Sequence, residues 1–164
     1  MGLEELYREI QPQMYAFFYV KTQSREAAED LTQEVFYEAV KGHGSFRGDS
    51  TVRTWLFGIA KYKLGKYYRS KKYGQELAAK LAAESRESVT PEKQVLDRED
   101  RDILLERIFR LDEVSQEIVT LRMYAELSFR EIGHIIGATE NSVRVRFHRI
   151  KLQLHKELEG YYER

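Results

Sequence analysis

Apolar side chains recur at every third or fourth position along nearly the whole chain, and no segment alternates as a half-buried strand would. Only two prolines, Pro12 and Pro91, interrupt the 164 residues. The chain is 42% apolar and contains 11 Tyr and 8 Phe, which is enough to build a packed core. These features predict an all-α protein.

Three helices are predicted in the N-terminal half. The first begins near Leu3 and continues past Pro12, and Ser24 is a predicted N-cap for the second. The segment 42–50 (GHGSFRGDS) contains three glycines, two serines and an aspartate, and it is predicted to be a loop. A third helix is expected from about Thr51 to Lys72, with Trp55, Leu56, Ile59 and Ala60 as its core contacts.

Residues 74–100 differ in composition from the rest of the chain. They are small and polar, lack aromatic residues and include Pro91, which indicates a flexible linker, with helical turns around 75–83 left open. The sequence therefore predicts two small helical domains, 1–73 and 101–164, joined by this linker.

A helix-turn-helix is predicted near the C-terminus. A helix over Leu111–Tyr124 is expected to bury Val114, Ile118 and Leu121. Ser128 and Glu131 then form a capping-box pattern, Gly137 is placed to end that short helix, and Thr139 is placed to cap a longer basic one. A short helix, a tight glycine turn and a second helix are typical of this motif.

The formal net charge is zero, but the charges are unevenly distributed. Residues 41–73 carry nine Lys or Arg and one acid, and residues 138–156 carry five and one. Tyrosines 62, 67, 68 and 73 lie within the first patch, as expected where charge follows a nucleic-acid backbone and rings stack on bases. For any single tyrosine, packing against the domain is the simpler interpretation. Gly58 and Gly65 each weaken this helix, which predicts a close approach of a packed helix or of DNA.

The second patch lies on the last helix, whose first turns offer Asn141, Ser142, Arg144 and Arg146. Arginine can read guanine edges or neutralise phosphates, so this helix is predicted to enter the major groove. The alternative is a three-helix bundle with a solvated basic face.

An acidic stripe occupies the second helix, where Glu26, Asp30, Glu34 and Glu38 are spaced four residues apart and share one face. Like charges at this spacing destabilise a helix by a few tenths of a kcal/mol per pair. From spacing alone, the stripe is either a solvated face or a docking surface for a basic protein, and both interpretations remain open.

Several classes of function lack support in the sequence. The absence of cysteine excludes disulfides and thiolate metal sites, and no nucleophile elbow, Walker loop or His-Glu-x-x-His pattern occurs. We therefore expect neither an enzyme nor a cofactor. With no long apolar run and no basic, apolar leader, we expect a cytoplasmic protein without membrane insertion.

Three segments together resemble one protein family. They are AEDLTQEVFYEAV (28–40), SFRGDSTVRTWLFGIA (45–60) and LSFREIGHIIGATENSVRVRFHRIKLQL (127–154). In this order they are similar to the bacterial sigma-70 family, specifically the extracytoplasmic-function (ECF) sigma factors that keep only domains two and four. The resemblance implies a sigma factor that binds core RNA polymerase, recognises promoters and promotes strand opening.

The resemblance also implies roles for individual residues. The expected core polymerase contacts, on the β′ clamp helices, are Asp30, Leu31, Gln33, Glu34 and Phe36. The expected minus-ten DNA contacts are Phe46, Arg47, Gly48, Asp49, Ser50, Thr51, Lys61, Tyr62, Lys63, Lys66 and Arg69. The expected minus-thirty-five contacts are Ser128, Arg130, Thr139, Asn141, Ser142, Arg144, Arg146 and Arg149.

Further partners implied by the resemblance are the polymerase β flap, duplex and single-stranded promoter DNA, and an anti-sigma factor. Two positions depart from the family pattern, since Tyr62 replaces a common Asn and Lys66 a common Asp. The alternative function is a stand-alone helix-turn-helix regulator. A second alternative is an anti-sigma-like or adaptor protein that binds polymerase without binding DNA.

Overall fold

The computed structural model describes residues 2–42, 46, 48–85 and 100–163, and within these ranges all regular structure is α-helical. This architecture confirms the predicted all-α class. The helices are α1 (Leu3–Thr22), α2 (Arg25–Lys41), α3 (Val52–Ser85), α4 (Asp100–Phe109), α5 (Glu113–Met123), α6 (Phe129–Ile136) and α7 (Glu140–Tyr162).

The first three helices pack around a shared aromatic core. Phe17 and Phe18 of α1 and Phe57 of α3 are fully buried, and Phe17 meets Phe57 edge to face with ring centroids 5.8 Å apart. Burying one such side chain stabilises the fold by about 1.5–3 kcal/mol. The predicted N-cap is confirmed, because Ser24 Oγ accepts a hydrogen bond of 3.1 Å from the Ala27 amide.

Helix α3 is longer than its sequence pattern predicted. The expected end was Lys72, but the helix continues to Ser85, so the first part of the predicted linker is helical, as the helical turns left open around 75–83 allowed. This stretch is rich in Ala, Leu, Lys and Glu, which favour helix intrinsically, although residues 74–81 are exposed. The remainder of the predicted linker, 86–99, lies outside the described residues.

The last four helices form a second group in which α7 packs against α4, α5 and α6. Asp112 caps α5 by accepting a 3.2 Å hydrogen bond from the Ser115 amide. The expectation that Val114 faces inward was wrong, since it is 41% exposed. The buried stripe of α5 instead passes through Ser115 and Ile118.

The two groups of helices contact each other. Helix α6 lies against α3, and α5 lies against α1. Leu121 and Leu127 from the second group belong to the same buried cluster as Phe17 and Phe57 from the first. The chain therefore buries a continuous apolar core across both groups.

Candidate nucleic-acid and polymerase interfaces

The loop before α3 is held against the helix by an aromatic contact. Phe46 packs on Trp55 with ring centroids 5.1 Å apart, and Gly48 adopts a left-handed backbone with φ of 76°. Thr51 caps the start of α3 by accepting a 3.1 Å hydrogen bond from the Thr54 amide. Asp49 is exposed, whereas Ser50 is half-buried. Arg47, the remaining predicted loop contact, lies outside the described residues.

A groove of about 780 Å³ runs along α3 beside this loop. We call it the α3 groove; its walls include Trp55, Ile59 and Tyr62. Gly58 is exposed there, and no neighbouring atom lies within 4 Å of the place where its Cβ would be. The predicted close approach of a packed helix at Gly58 was therefore wrong. A Cβ added at Gly65 would lie 3.9 Å from a guanidinium nitrogen of Arg69, which is ordinary van der Waals contact.

The tyrosines of the basic patch separate into two kinds. Tyr62 and Tyr73 are 64% and 70% exposed, so their rings are accessible for stacking. Tyr68 instead donates a 2.6 Å hydrogen bond to the Lys21 carbonyl at the end of α1. Burial, and secondarily the neighbouring Tyr67, raises the pKa of Tyr68. Packing is thus the correct interpretation for Tyr68 but not for Tyr62.

The predicted minus-ten lysines also differ in their surroundings. Lys66 is exposed and lines the α3 groove. Lys61 lies 3.5 Å from Glu117 of α5, and Lys63 is paired with Glu34 and Glu38 of α2 at 3.8 and 3.6 Å. The Lys63 ammonium group thus lies against the acidic stripe, while Lys63 also lines the α3 groove together with Lys66.

The acidic stripe of α2 presents only part of the predicted polymerase motif. Asp30, Gln33 and Glu34 are exposed. Leu31 is buried in the core, so its side chain is not presented at the surface in this arrangement. Phe36 is half-buried and packs edge to face on Tyr7, with ring centroids 4.7 Å apart.

The helix-turn-helix is stabilised by helix caps and by glycines at or near its turn. The sequence predicted the caps and Gly137 but not the role of Gly133. The capping box is confirmed by hydrogen bonds of 2.8 Å from the Ser128 amide to Glu131 and 3.1 Å from the Glu131 amide to Ser128. Gly137 has φ of 75°, and Thr139 caps α7 by accepting a 3.2 Å hydrogen bond from the Ser142 amide. Gly133 is a further requirement of the turn, because a Cβ there would lie 2.6 Å from the Ala138 carbonyl oxygen.

The side chains of the second helix, α7, have distinct partners. Asn141, Ser142 and Arg149 are exposed, and Arg144 pairs with Glu140 at 2.9 Å one turn away. The exposed side chains of α7 thus include two uncharged polar groups, one paired arginine and Arg149.

Arg146 is held by α5 instead. It pairs with Asp112 at 2.9 Å and donates a 3.3 Å hydrogen bond to Ser115 Oγ. Hydrogen bonds from Ser115, with a smaller effect from Arg146, lower the pKa of Asp112. The expected DNA contact at Arg146 is therefore engaged in joining α7 to the start of α5, a role that sequence spacing did not indicate.

The predicted minus-ten loop faces part of the predicted minus-thirty-five surface, the start of α6. Residues 48–51 before α3 and the residues Ser128, Arg130 and Glu131 at the start of α6 line one cleft of about 810 Å³. Thr51 Oγ1 lies 3.3 Å from Glu131 across this cleft. Double-stranded DNA therefore cannot lie along both surfaces in this arrangement.

Polar contacts hold the two groups of helices together. The Gln13 amide donates a 2.7 Å hydrogen bond to Glu126, and Lys21 donates one of 3.4 Å to Gln116. Burial lowers the pKa of Lys21, while the charges of Glu117 and Glu113 oppose that change. A partly buried lysine facing acidic side chains of α5 thus contributes to this interface.

The described part of the chain lacks a metal-binding cluster and a membrane-spanning helix. It contains no group of three or more His, Asp or Glu side chains placed to hold a metal ion. Likewise, none of the helices described there has both the length and the hydrophobicity required to cross a membrane.

The sequence matches two family models, Sigma-70 region 2 over residues 6–73 and Sigma-70 region 4 over residues 101–154. The chain is 32% identical to RNA polymerase sigma factor YlaC of Bacillus subtilis over 159 residues, covering 96% of this chain and 92% of that protein. This chain belongs to the sigma-70 family.

Other relatives agree with this assignment. This sigma factor is 30% identical over 140 residues to the ECF RNA polymerase sigma factor SigW of Bacillus subtilis, covering 80% of this chain and 75% of that protein. Its fold resembles that of the sigma factor RpoE solved with the anti-sigma factor NepR from Bartonella quintana, with TM-score 0.67, 22% identity and 96% of each chain covered. CnrH, solved with the cytosolic domain of CnrY, gives TM-score 0.68 at 18% identity over 96% of this chain and 88% of that one.

Family membership settles the general function that the sequence indicated. This protein is an ECF-type sigma factor, which binds core RNA polymerase, recognises promoter elements and promotes strand opening in transcription initiation. Helices α1, α2 and most of α3 fall within the region 2 match, and α4 to α7 fall largely within the region 4 match. The alternative of a stand-alone helix-turn-helix regulator is therefore set aside.

Proposed function

We propose that the α3 groove and the loop before it hold the unpaired minus-ten strand of the promoter. The observation that carries this proposal is the exposed Tyr62 beside Lys66 and the open Gly58 on one groove wall. A base can stack on the tyrosine ring while the lysine neutralises a phosphate. The exposed cap and loop residues Gly48, Asp49 and Thr51 lie at the adjoining end, where an extruded base would be received.

On region 4, the exposed residues at the start of α7 contact the minus-thirty-five duplex. Asn141, Ser142 and Arg144 present side chains to base edges, and Arg149 lies farther along the same helix where it contacts phosphate. Ser128, Arg130 and Thr139 sit at helix starts, where hydroxyl, guanidinium and backbone groups suit phosphate contacts. Because Ser128 and Arg130 share a cleft with the minus-ten loop, regions 2 and 4 separate before the promoter binds.

The exposed residues Asp30, Gln33 and Glu34 dock on the β′ clamp helices of core polymerase. Leu31 and Phe36 support this docking surface indirectly. Leu31 is buried and Phe36 packs on Tyr7, so they hold α2 with its polar side chains facing solvent.

Region 4 offers core polymerase a second surface. An apolar groove of about 600 Å³ is lined by Val119, Met123, Leu154 and Leu158. On α7 these groove residues lie roughly opposite Ser142 and Arg149 by helical periodicity. The β flap binds here, which leaves the DNA side of α7 free.

An anti-sigma factor is proposed as the regulatory partner, because the solved structures of similar fold contain an anti-sigma factor or the cytosolic domain of CnrY. The protein acts in the cytoplasm, where polymerase and promoter DNA meet, and has no catalytic activity of its own.

The proposed function is tested by in-vitro transcription on genomic promoter fragments. Core polymerase supplemented with this chain should give discrete transcripts from a subset of fragments, and core alone should not. Equal transcription with and without the chain would contradict the proposal.

One substitution at Gly58 distinguishes its contribution to the α3 groove from its effect on the stability of helix α3. Gly58→Ala should stabilise α3 by up to about 1 kcal/mol, because alanine favours helix and its methyl group meets no neighbour. The same methyl group narrows the α3 groove, so holoenzyme binding to a single-stranded minus-ten oligonucleotide should weaken. Thermal unfolding and fluorescence anisotropy measure the two effects, and tighter or unchanged DNA binding would exclude a nucleotide at this position.

A further inference from the structure

Lys63 differs from its neighbour Lys61 in the position of its ammonium group. Its Nζ lies 3.6 Å from Glu38 and 3.8 Å from Glu34, both on α2. Its side chain is only 14% exposed, compared with 43% for Lys61. Lys63 therefore lies between α2 and α3, at the wall of the α3 groove, with its ammonium group toward α2.

This position matches an electrostatic requirement of α2. Glu34 and Glu38 are four residues apart on one helix face, where like charges repel. A cation within 4 Å of both carboxylates offsets that repulsion, and its low exposure reduces screening by salt. Each carboxylate remains substantially exposed, at 54% for Glu34 and 40% for Glu38, so the pair is still accessible to another protein.

We infer that Lys63 is a positioning residue of the polymerase-docking face and not a DNA contact. It holds the Glu34 and Glu38 carboxylates in place on α2, which reduces the side-chain freedom lost when core polymerase binds. Two carboxylates compete with a phosphate for the Lys63 ammonium group, whereas Lys61 has one carboxylate partner and a more exposed side chain. The inference rests on the proposed docking role of Glu34.

Lys63→Gln and the matched Lys61→Gln variant test this inference in the full chain. Lys63→Gln should weaken binding to core polymerase by about three- to tenfold, as expected for the loss of two partly exposed ion pairs. Once holoenzyme is formed at saturating sigma factor, its binding to a minus-ten single strand should keep the wild-type salt dependence. Lys61→Gln should show the reverse, with unchanged core affinity and a slope of log affinity against log salt reduced by about 0.7.

Two further variants exclude a purely structural explanation. Lys63→Arg retains the charge and should bind core nearly as tightly as wild type. In the Lys63→Gln background, Glu38→Gln removes one of the two repelling carboxylates. This double variant should therefore recover part of the lost core affinity. Such non-additive effects are expected only if the two residues interact. If Lys63→Gln fails to fold, Lys63→Met, which keeps most of the apolar side chain and removes the charge, provides the same comparison.

The outcomes separate the two levels of the proposal. If wild-type protein does not bind core polymerase, the proposed function fails. If wild type binds core but Lys63→Gln binds equally well, the inference about Lys63 is overturned; if Lys63→Gln also loses about 0.7 in the DNA salt slope, Lys63 is a phosphate contact.

Discussion

Replacing Gly133 by alanine should destabilise region 4 by about 1–3 kcal/mol, the usual cost of overpacking a tight site. The added methyl group would lie 2.6 Å from the Ala138 carbonyl oxygen and 3.4 Å from the Thr139 carbonyl carbon. Both are backbone atoms, so the clash cannot be relieved by rotating a side chain. The amide of Ala138 also donates a 2.9 Å hydrogen bond to the Gly133 carbonyl, which fixes the turn against α6.

The same substitution should also weaken minus-thirty-five duplex binding, by an amount that is measured separately from the loss of stability. The turn carries Thr139, whose hydroxyl caps α7, so displacing the turn shifts the start of the recognition helix. Urea unfolding and fluorescence anisotropy with a minus-thirty-five duplex measure the two effects.

Gly160→Ala is the matched control in the same region, because no atom lies within 4 Å of its Cβ position and it lies in α7. It should be neutral or stabilising by up to about 1 kcal/mol. If Gly133→Ala is as stable as Gly160→Ala and binds the duplex normally, the close approach of α6 to the turn is not what builds this motif.

Tyr62→Ala should weaken holoenzyme binding to a minus-ten single strand by about 1–3 kcal/mol, the usual contribution of one base stacked on an aromatic ring. Its ring is 64% exposed, so its loss should change the melting temperature little. Core polymerase binding should also be unchanged, since the acidic stripe lies on another helix. Anisotropy with a labelled oligonucleotide, thermal unfolding and core titration provide the three measurements.

Tyr68→Phe is the contrasting variant. It removes the hydroxyl that donates to the Lys21 carbonyl and should cost about 1 kcal/mol of stability without altering DNA binding. If both variants lose DNA affinity equally, or if neither does, the division of the patch into stacking and packing tyrosines is wrong.

Local signals in the sequence were sufficient to predict most helices and their caps. Ser24, Ser128 and Thr139 each precede a helical apolar pattern, and each accepts the predicted amide hydrogen bond. Caps depend on residues only a few positions apart, so they can be recognised without knowledge of the tertiary structure.

Helix α3 shows where local composition is ambiguous. Residues 74–85 lack aromatic residues, and this composition is typical of a linker. Their content of Ala, Leu, Lys and Glu, however, also favours helix. An amphipathic pattern distinguishes packed helices from loops, whereas an exposed helical extension produces no such pattern.

Pairings between distant helices were the part of the site that sequence could not reveal. Lys63 was predicted to bind DNA, and its pairing with Glu34 depends on how α2 and α3 cross. Arg146 was likewise predicted to contact DNA, and its partner Asp112 is 34 residues away. Charge patterns along a chain identify which residues are basic, but the tertiary fold decides which of them remain available to a ligand.

Promoter opening measured by permanganate reactivity of unpaired thymines tests the central claim most directly. On a promoter fragment selected by transcription, thymines of the minus-ten element should become reactive only when core polymerase and this sigma factor are present together. Tyr62→Ala should reduce that reactivity while core binding is retained. Reactivity that appears with core alone, or its absence when wild-type sigma factor is bound to core on that promoter, would contradict the assignment of the α3 groove to the opened strand.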